Sequence, residues 1–499
     1  MKPSAIVIGS GFAGLSAATA LAAKGFAVTV VEKNADPGGR ARTWRKDGFV
    51  FDMGPSWYWM PEVFEQWFNR FGSSVPEHYD LVRLDPSYRV VFGPEDVWDI
   101  PAGLPALKAL FDRIEPGAGA RLEHFMQEAG MKYALGMNEL VYRPSLRWSE
   151  FITPKVVGGM LRSTVFTSLR KHVRSHFRDA RLRELLEFPV LFLGATPDRT
   201  PALYSLMNYA DMALGTWYPM GGMGRIVDGM MDVARRHGVT FRFSSPVTGI
   251  MVHDGRATGV RCGQEELHAD IVVAGADYQH VESQLLPERS RSYAPGYWES
   301  RVMAPSSLLF YLGFDRRLPG LRHHNLFFDR SLDVHAGEIY DRPRWPSDPL
   351  MYVSAPSTTD PSVAPAGCEN VFALIPIAPG LEDTPAIRER YLRTVLHRIS
   401  ARTGFDVAPH VVLQRSYCIK DFEADYNAFR GNAYGLANTL LQTAVLKPRM
   451  KSRRVRGLYF TGQLTVPGPG VPPSLISGQV VADLVARELR TLIHTPAAP

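Results

Sequence analysis

The chain has 499 residues, 45% hydrophobic and 21% charged, proportions that exclude general disorder and leave room for more than one structural unit. With 56 Lys and Arg against 50 Asp and Glu, its net charge of +6 offers a basic surface to an anionic partner, nucleic acid or membrane. Three widely spaced cysteines, Cys262, Cys368 and Cys418, form no CxxC pair, so neither a disulfide framework nor a metal site is expected, and a reducing cytoplasm is the default setting.

In chain order, "AIVIG" (residues 5–9) predicts a strand buried on both faces, followed by Gly9, Gly11 and Gly14 in the spacing G-x-G-x-x-G. Gly9 permits a tight turn, Gly11 lets the backbone approach a pyrophosphate, and Gly14 lets the next helix lie close to the strand with its free N–H groups facing phosphate. The loop comes so early that no targeting leader is expected before it, and its glycines and Lys24 argue against a signal sequence over residues 5–31. Helical spacing at Leu15, Ala18 and Leu21 ends at Gly25. The alternating strand "VTVVE" then closes on Glu32, placed to accept hydrogen bonds from a ribose 2′-hydroxyl. Next, "DPGGRAR" sets Gly38, Gly39, Arg40 and Arg42 where a second backbone segment reaches the nucleotide and Arg40 offsets phosphate charge.

From residue 154 the text reads "PKVVGGMLRSTVFTSLRKHVRSHFRDARLRELLEF". Val157, Leu161, Val165, Leu169, Val173 and Phe177 recur every four positions, while Lys155, Arg162, Arg170, Lys171, Arg174, Arg178, Arg181 and Arg183 supply charge; between Lys155 and Arg183 only Asp179 is acidic. The pattern predicts a basic amphipathic helical segment over about 154–186. It suits an anionic bilayer, at about 1 kcal/mol per surface cation, or a core-facing helix with a solvated basic face. Nucleic acid is disfavoured, because no binding module is recognisable and aromatic residues are not interleaved for base stacking. "GGMG" at 221–224 lacks a clear buried strand before it, so no NAD(P) domain is expected. Near the C-terminus, "LYFTG" (458–462) reads as another buried strand, and Leu475, Ile476, Val480, Val481, Leu484 and Val485 have helical spacing after Pro472 and Pro473. No apolar run is long enough to span a bilayer, no repeat or low-complexity linker is visible, and "TPAAP" reads as a loose tail.

The opening loop with its "GGR" extension resembles FAD-dependent amine oxidases and carotenoid desaturases. "FDMGPSWYWMP" (51–61), "YPMGGMGRIVDGM" (218–230), "ADIVVAGAD" (269–277), "RSYCIKDFEADYNAFRGNAYGLANTLLQTAVLKP" (415–448) and "TGQLTVPGPGVPPSLISGQVVADL" (461–484) together resemble the bacterial-type phytoene desaturases over nearly the whole chain. The resemblance implies an α/β fold. It comprises a Rossmann-like FAD-binding domain of the two-dinucleotide-binding-domain type (1–80, 218–285 and 411–499), interleaved with an α+β substrate domain (81–217 and 286–410) and a helical membrane-facing region. The cofactor set it implies begins with Gly9, Gly11, Phe12, Ala13, Gly14, Glu32, Lys33, Gly39 and Arg40. It continues with Gly54, Pro55, Ser56 and Val247, and closes with Gly462, Gln463, Gly470, Val471 and Pro472. Gln463 departs from the pattern, standing where many related flavoproteins carry an acid or a small residue.

The implied activity is removal of hydrogen pairs from a long apolar polyene, typically 15-cis-phytoene to lycopene or a partly desaturated product, with flavin N5 taking the hydride. A helix N-terminus at residues 470–474 would favour the reduced flavin by roughly 0.3–2 kcal/mol. Asp52, His323, His324, Asp329 and Asp421 are base candidates by residue type, and none is assigned. Exposing a long hydrocarbon to water costs about 0.8 kcal/mol per methylene, so the chain is expected at the inner face of the cell membrane as a peripheral protein. Reoxidation by oxygen or a membrane quinone follows from the missing NAD(P) loop, and nothing opposes a homo-oligomer. Two rivals stand beside this reading: another polyene enzyme (a later carotenoid desaturase, a diapocarotenoid enzyme, an isomerase or a retinol saturase) and a non-catalytic prenyl-lipid carrier of the same architecture.

Overall fold

The computed structural model describes residues 2–156, 158 and 167–494. A five-stranded parallel sheet gathers strands from distant parts of the chain, in the order Leu458–Phe460, Ile271–Ala274, Ser4–Ile8, Ala27–Val31, Thr240–Arg242. Successive side chains on a strand point to opposite faces, and this sheet uses both. Ala5 and Val7 enter one core with Leu15, Val273, Ile226 and Leu475, whereas Ile6 and Ile8 enter another with Ile250, Val260 and Val272. The first face is covered by the helices Phe12–Ala23, Gly224–Arg236 and Val471–His494. The second is covered by the antiparallel strands Gly249–His253, Arg256–Cys262 and Glu265–His268. Burial on both faces is why these strands read as continuous apolar runs.

The second sheet has seven strands, ordered Val411–Tyr417, Ser306–Phe314, Glu369–Ile377, Met351–Ser354, His324–Phe327, Tyr88–Val91, Val97–Ile100. All neighbours are antiparallel except His324–Phe327 with Tyr88–Val91. One face packs on Tyr391, Leu392, Val395 and Ile399 of the helix Pro385–Thr403. The other carries Leu309, Tyr311, Leu326, Tyr352 and Leu374 beneath a helical cover that includes Leu104–Ile114 and Ala118–Leu135. Strand Val411–Tyr417 belongs to this sheet, pairing with Ser306–Phe314, so the boundary expected at 411 shifts beyond Tyr417. The antiparallel pair Leu81–Arg83 with Trp217–Pro219 joins two segments far apart in the chain.

One expectation is corrected. The basic segment over 154–186 is not one helix where it is described: it forms Leu169–His176 and Ala180–Glu187, with Ser168 and Asp179 capping their N-termini through side-chain oxygens. Asp179 breaks the helix because its carboxylate accepts from the backbone N–H groups of Arg181 and Leu182. Leu169, Val173 and Phe177 are buried in the same core as Leu182 and Leu185, the core-facing alternative. Arg170 pairs with Glu187, Asp198 and Asp333, and Arg181 pairs with Asp96 and Asp179. Val157, Leu161, Arg162 and Val165 lie outside the described residues. Among those described, no helix is long and apolar enough to cross a membrane.

Candidate active site

The loop after the first strand is built on close backbone approach. Gly9 has φ +93° and donates its N–H to Val31 O at 2.8 Å. A Cβ on Gly14 would lie 2.0 Å from Gly9 O, so only glycine lets the helix Phe12–Ala23 start there. Gly11 bridges Gly38, and Gly38 N–H donates to Ser10 O at 3.0 Å, which folds "GGR" onto the loop as the motif predicts. Gly39 stands so close that its Cβ would meet Gly11 Cα at 3.2 Å. Glu32 is buried, with Oε2 accepting from Ser10 N–H and Oγ at 2.8 Å and Oε1 from Asn34 N–H at 2.9 Å. Lys33 instead turns to Ala424 O and Asn427 Oδ1, and burial lowers its pKa. Val247 lies in the segment whose Ser245 N–H donates to Glu32 O at 2.8 Å.

Both ends of the chain meet at this loop. A Cβ on Gly462 would lie 3.8 Å from Ala13 Cβ, and one on Gly478 would lie 2.4 Å from Ala13 O. Ser16 Oγ donates to Leu475 O at 2.7 Å, and Gly462 N–H donates to Ser477 Oγ at 3.0 Å. Gly470, at φ +110°, precedes Val471 and Pro472 in the first turn of the last helix, where Ser474 N–H donates to Gly470 O. Arg40 donates to Asn432 O at 3.2 Å and lies 5.1 Å from the centre of the Tyr426 ring. The side-chain oxygen of Gln463 accepts from Arg40 at 3.0 Å and from Gly435 N–H at 3.2 Å, so the residue that departs from the pattern joins Arg40 directly.

Gly54 packs against Arg40, its Cβ position 2.5 Å from Arg40 O, and Pro55 and Ser56 continue toward the second sheet. Ser56 Oγ is 2.9 Å from Tyr352 OH, which is 2.7 Å from His324 Nδ1. Trp57 stacks on His324 at 4.2 Å. Tyr352 also lines a small apolar cleft, together with Phe188, Leu332, Ala336, Ile339 and Tyr434. Tyr434 is two residues from Asn432, so the nucleotide half borders the cleft at two points. His335, also in its wall, is neutral and satisfied: Nε2 lies 2.8 Å from Pro376 O, Nδ1 accepts from Leu350 N–H, and burial lowers its pKa to about 4.

The base candidates all have structural partners, although His324, bound through Nδ1 to Tyr352 OH, keeps its Nε2 buried without a partner. Asp52 accepts from Met223 and Gly224 N–H at 2.8 and 3.2 Å at the start of the helix Gly224–Arg236, and burial raises its pKa to about 6. His323 is lowered to about 3 and His324 well below its ordinary value, both by burial, so they remain neutral. Asp329 is paired with Arg398 and Arg330. Asp421 caps the helix Ile419–Tyr426 through Cys418 N–H and pairs with Arg388.

Sequence reasoning missed Lys447 and Asn438, although a lone lysine inside "TAVLKP" was a visible signal. Lys447 Nζ and Asn438 Oδ1 are buried and without hydrogen-bond partners, and both lie within about 3.4 Å of the Cβ position of Gly468 in the loop before the last helix. Arg40 Nε is likewise buried and unpartnered. An ammonium donor beside an amide acceptor fits a ring edge carrying carbonyls and an N–H, as isoalloxazine does, and the open guanidinium edge fits phosphate. The residues present therefore suit FAD.

Burial without a counter-charge lowers Lys447 from 10.5 to about 7. The folded, FAD-stripped protein then binds fewer protons than the unfolded chain between those values. The penalty is full below pH 7 and is removed as pH rises, at up to about 1.4 kcal/mol per unit. The Tm of stripped protein should rise from pH 7 to 10 relative to Lys447→Met, and parallel curves would show that the ammonium carries no such penalty.

Comparison with known proteins completes this description. The family model for flavin containing amine oxidoreductases matches residues 12–486, and fold, loop and family together define an FAD-dependent oxidoreductase. The chain is 41% identical to the carotenoid 3,4-desaturase of Haloarcula japonica over 97% of its length and 98% of that protein. It is 33% identical to the zeta-carotene-forming phytoene desaturase of Myxococcus xanthus, covering 98% and 94%. Cyclohexylamine oxidase from Brevibacterium oxydans shares the fold at a TM-score of 0.60 and 15% identity, covering 98% and 100%. An oxidoreductase from Methanosarcina mazei shares it at 0.61 and 19%, covering 97% and 100%. The chain belongs to the flavin containing amine oxidoreductases and, within them, to the carotenoid desaturases.

Proposed function

We propose that the protein desaturates a long carotenoid, withdrawing a hydride and a proton from adjacent carbons of a polyene held in the apolar cleft. The observation that carries this reading is the junction of Arg40, Asn432 and Gln463, formed by both ends of the chain, next to a cleft walled by Leu332, Ala336 and Ile339. FAD, when bound, supplies the hydride acceptor. Gly11, Gly14, Gly39, Arg40 and Glu32 would hold its dinucleotide, while Gly54 to Ser56, Lys447 and Asn438 would meet the ring. The cleft orients the hydrocarbon and excludes water. Hydride loss from an allylic carbon leaves a delocalised cation whose proton needs only a weak acceptor, which agrees with the structural engagement of Asp52, Asp329 and Asp421.

Similarity to the Haloarcula protein supports a substrate that is already conjugated and gains a 3,4 double bond. Similarity to the Myxococcus enzyme supports the alternative, 15-cis-phytoene to lycopene or a partly desaturated product. The protein would take its substrate at the inner face of an anionic membrane and return electrons to oxygen or a quinone. FAD-loaded protein in anionic liposomes should convert lycopene, or else phytoene, to products absorbing at longer wavelength and resolved by chromatography. Turnover of neither polyene would overturn the reading, and turnover that requires a nicotinamide would overturn the electron route.

A further inference from the structure

We propose that His124, Glu128 and His176 form a binding site for a borderline divalent cation of the Zn²⁺ type, clamping the helix Ala118–Leu135 to the helix Leu169–His176. One ligand atom from each of the three residues lies within 4.8 Å of the others. His124 and Glu128 are four positions apart on one helix and so share a face. His176 comes from the facing helix, whose Leu169 and Val173 are buried in the same core as Leu122, Phe125 and Met126.

The hydrogen bonds prepare the site. His176 Nδ1 lies 2.9 Å from His172 O, so an N–H there leaves the Nε2 lone pair free, the second-sphere arrangement that orients metal-bound imidazoles. Ser175 Oγ, 3.2 Å from the same Nδ1, donates to that carbonyl as well. Glu128 Oε1 is 3.3 Å from His124 Nε2, and its Oε2 is buried without a hydrogen-bond partner, 3.3 Å from His172 Nε2 and 3.9 Å from Lys132 Nζ. His124 is 64% exposed, which gives an ion a route in and leaves a coordination position to water.

Two imidazoles and one carboxylate select Zn²⁺ and its neighbours over Ca²⁺ or Mg²⁺, which prefer all-oxygen sets. Bonds of about 2.0–2.2 Å to Zn²⁺ need only a modest inward turn of the three side chains. The Lys132 ammonium opposes the cation and limits its affinity. The cysteine spacing gave no hint of this site because its ligands come from two helices that only the fold brings together.

The test uses FAD-loaded protein treated with EDTA and titrated with CoCl₂ and ZnCl₂. One equivalent of Co²⁺ should give a d–d absorption band that Zn²⁺ displaces, and Zn²⁺ should raise Tm. His124→Gln, at an exposed position, and Glu128→Gln should each bind at least about tenfold more weakly, whereas His268→Gln on the exposed edge strand Glu265–His268 should bind as before. Full FAD absorbance in every variant shows the fold intact. The absence of a Co²⁺ band, or unchanged affinity in both ligand variants, overturns the proposal.

Discussion

Gly14→Ala should yield protein that carries almost no FAD. The added Cβ falls 2.0 Å from Gly9 O, 3.0 Å from Gly9 C and 3.6 Å from Val7 Cγ1. The first two are backbone atoms of the loop itself, at a residue with φ +93°, so relief requires distorting the turn that would face the pyrophosphate. Overpacking of this kind costs about 1–3 kcal/mol, a large share of the stability of a typical domain. Flavin absorbance per chain should fall at least about tenfold, a loss of about 1.4 kcal/mol or more in binding, with a lower Tm. Gly25→Ala is the control: it has the same φ of +93° but nothing within 4 Å of its Cβ, so it should keep its flavin at some cost in backbone strain. Full flavin content in Gly14→Ala would mean that the loop does not hold the dinucleotide.

Ala336→Trp should leave the flavin in place and abolish polyene turnover. Ala336 is 4% exposed on the helix Leu332–Tyr340 and lines the apolar cleft. An indole there fills the space proposed for the hydrocarbon, while the cofactor loops and Arg40 are untouched. Desaturation rates should fall at least about 100-fold, about 2.7 kcal/mol in the barrier. Val334→Trp, on the same helix at a position 54% exposed, should turn over normally. Retained activity in Ala336→Trp would move the substrate to another surface.

The nucleotide half was legible in the sequence because its chemistry needs fixed residues at fixed spacing. Gly9 makes the tight turn and Gly14 the close helix start that their spacing requires, and Glu32 accepts from Ser10 and Asn34. The convergence of Gly462 and Gly478 on Ala13 is the same kind of constraint, read from the other end of the chain. The cleft was not legible, because Leu332, Tyr352 and Tyr434 come from separate segments and no local pattern records their meeting. The basic run misled for a local reason. The period-four apolar stripe ends at Phe177, two residues before Asp179, whose side chain binds two backbone N–H groups and starts a new helix, and the burial of Phe177 turns the stripe inward.

The order of strands in the parallel sheet also bears on how the protein is made. Its edge strand Leu458–Phe460 and the helix Val471–His494 are among the last segments of the 499 residues to leave the ribosome, yet they complete the face shared with Ser4–Ile8. At about 5–20 residues per second, the nascent N-terminal strand waits roughly 25–100 s for its final partners. During that interval Leu15, Leu21 and Val28 lack the apolar surface that Leu475, Val481 and Val485 later supply. The strand order therefore postpones completion of this core until the C-terminal segment has been made.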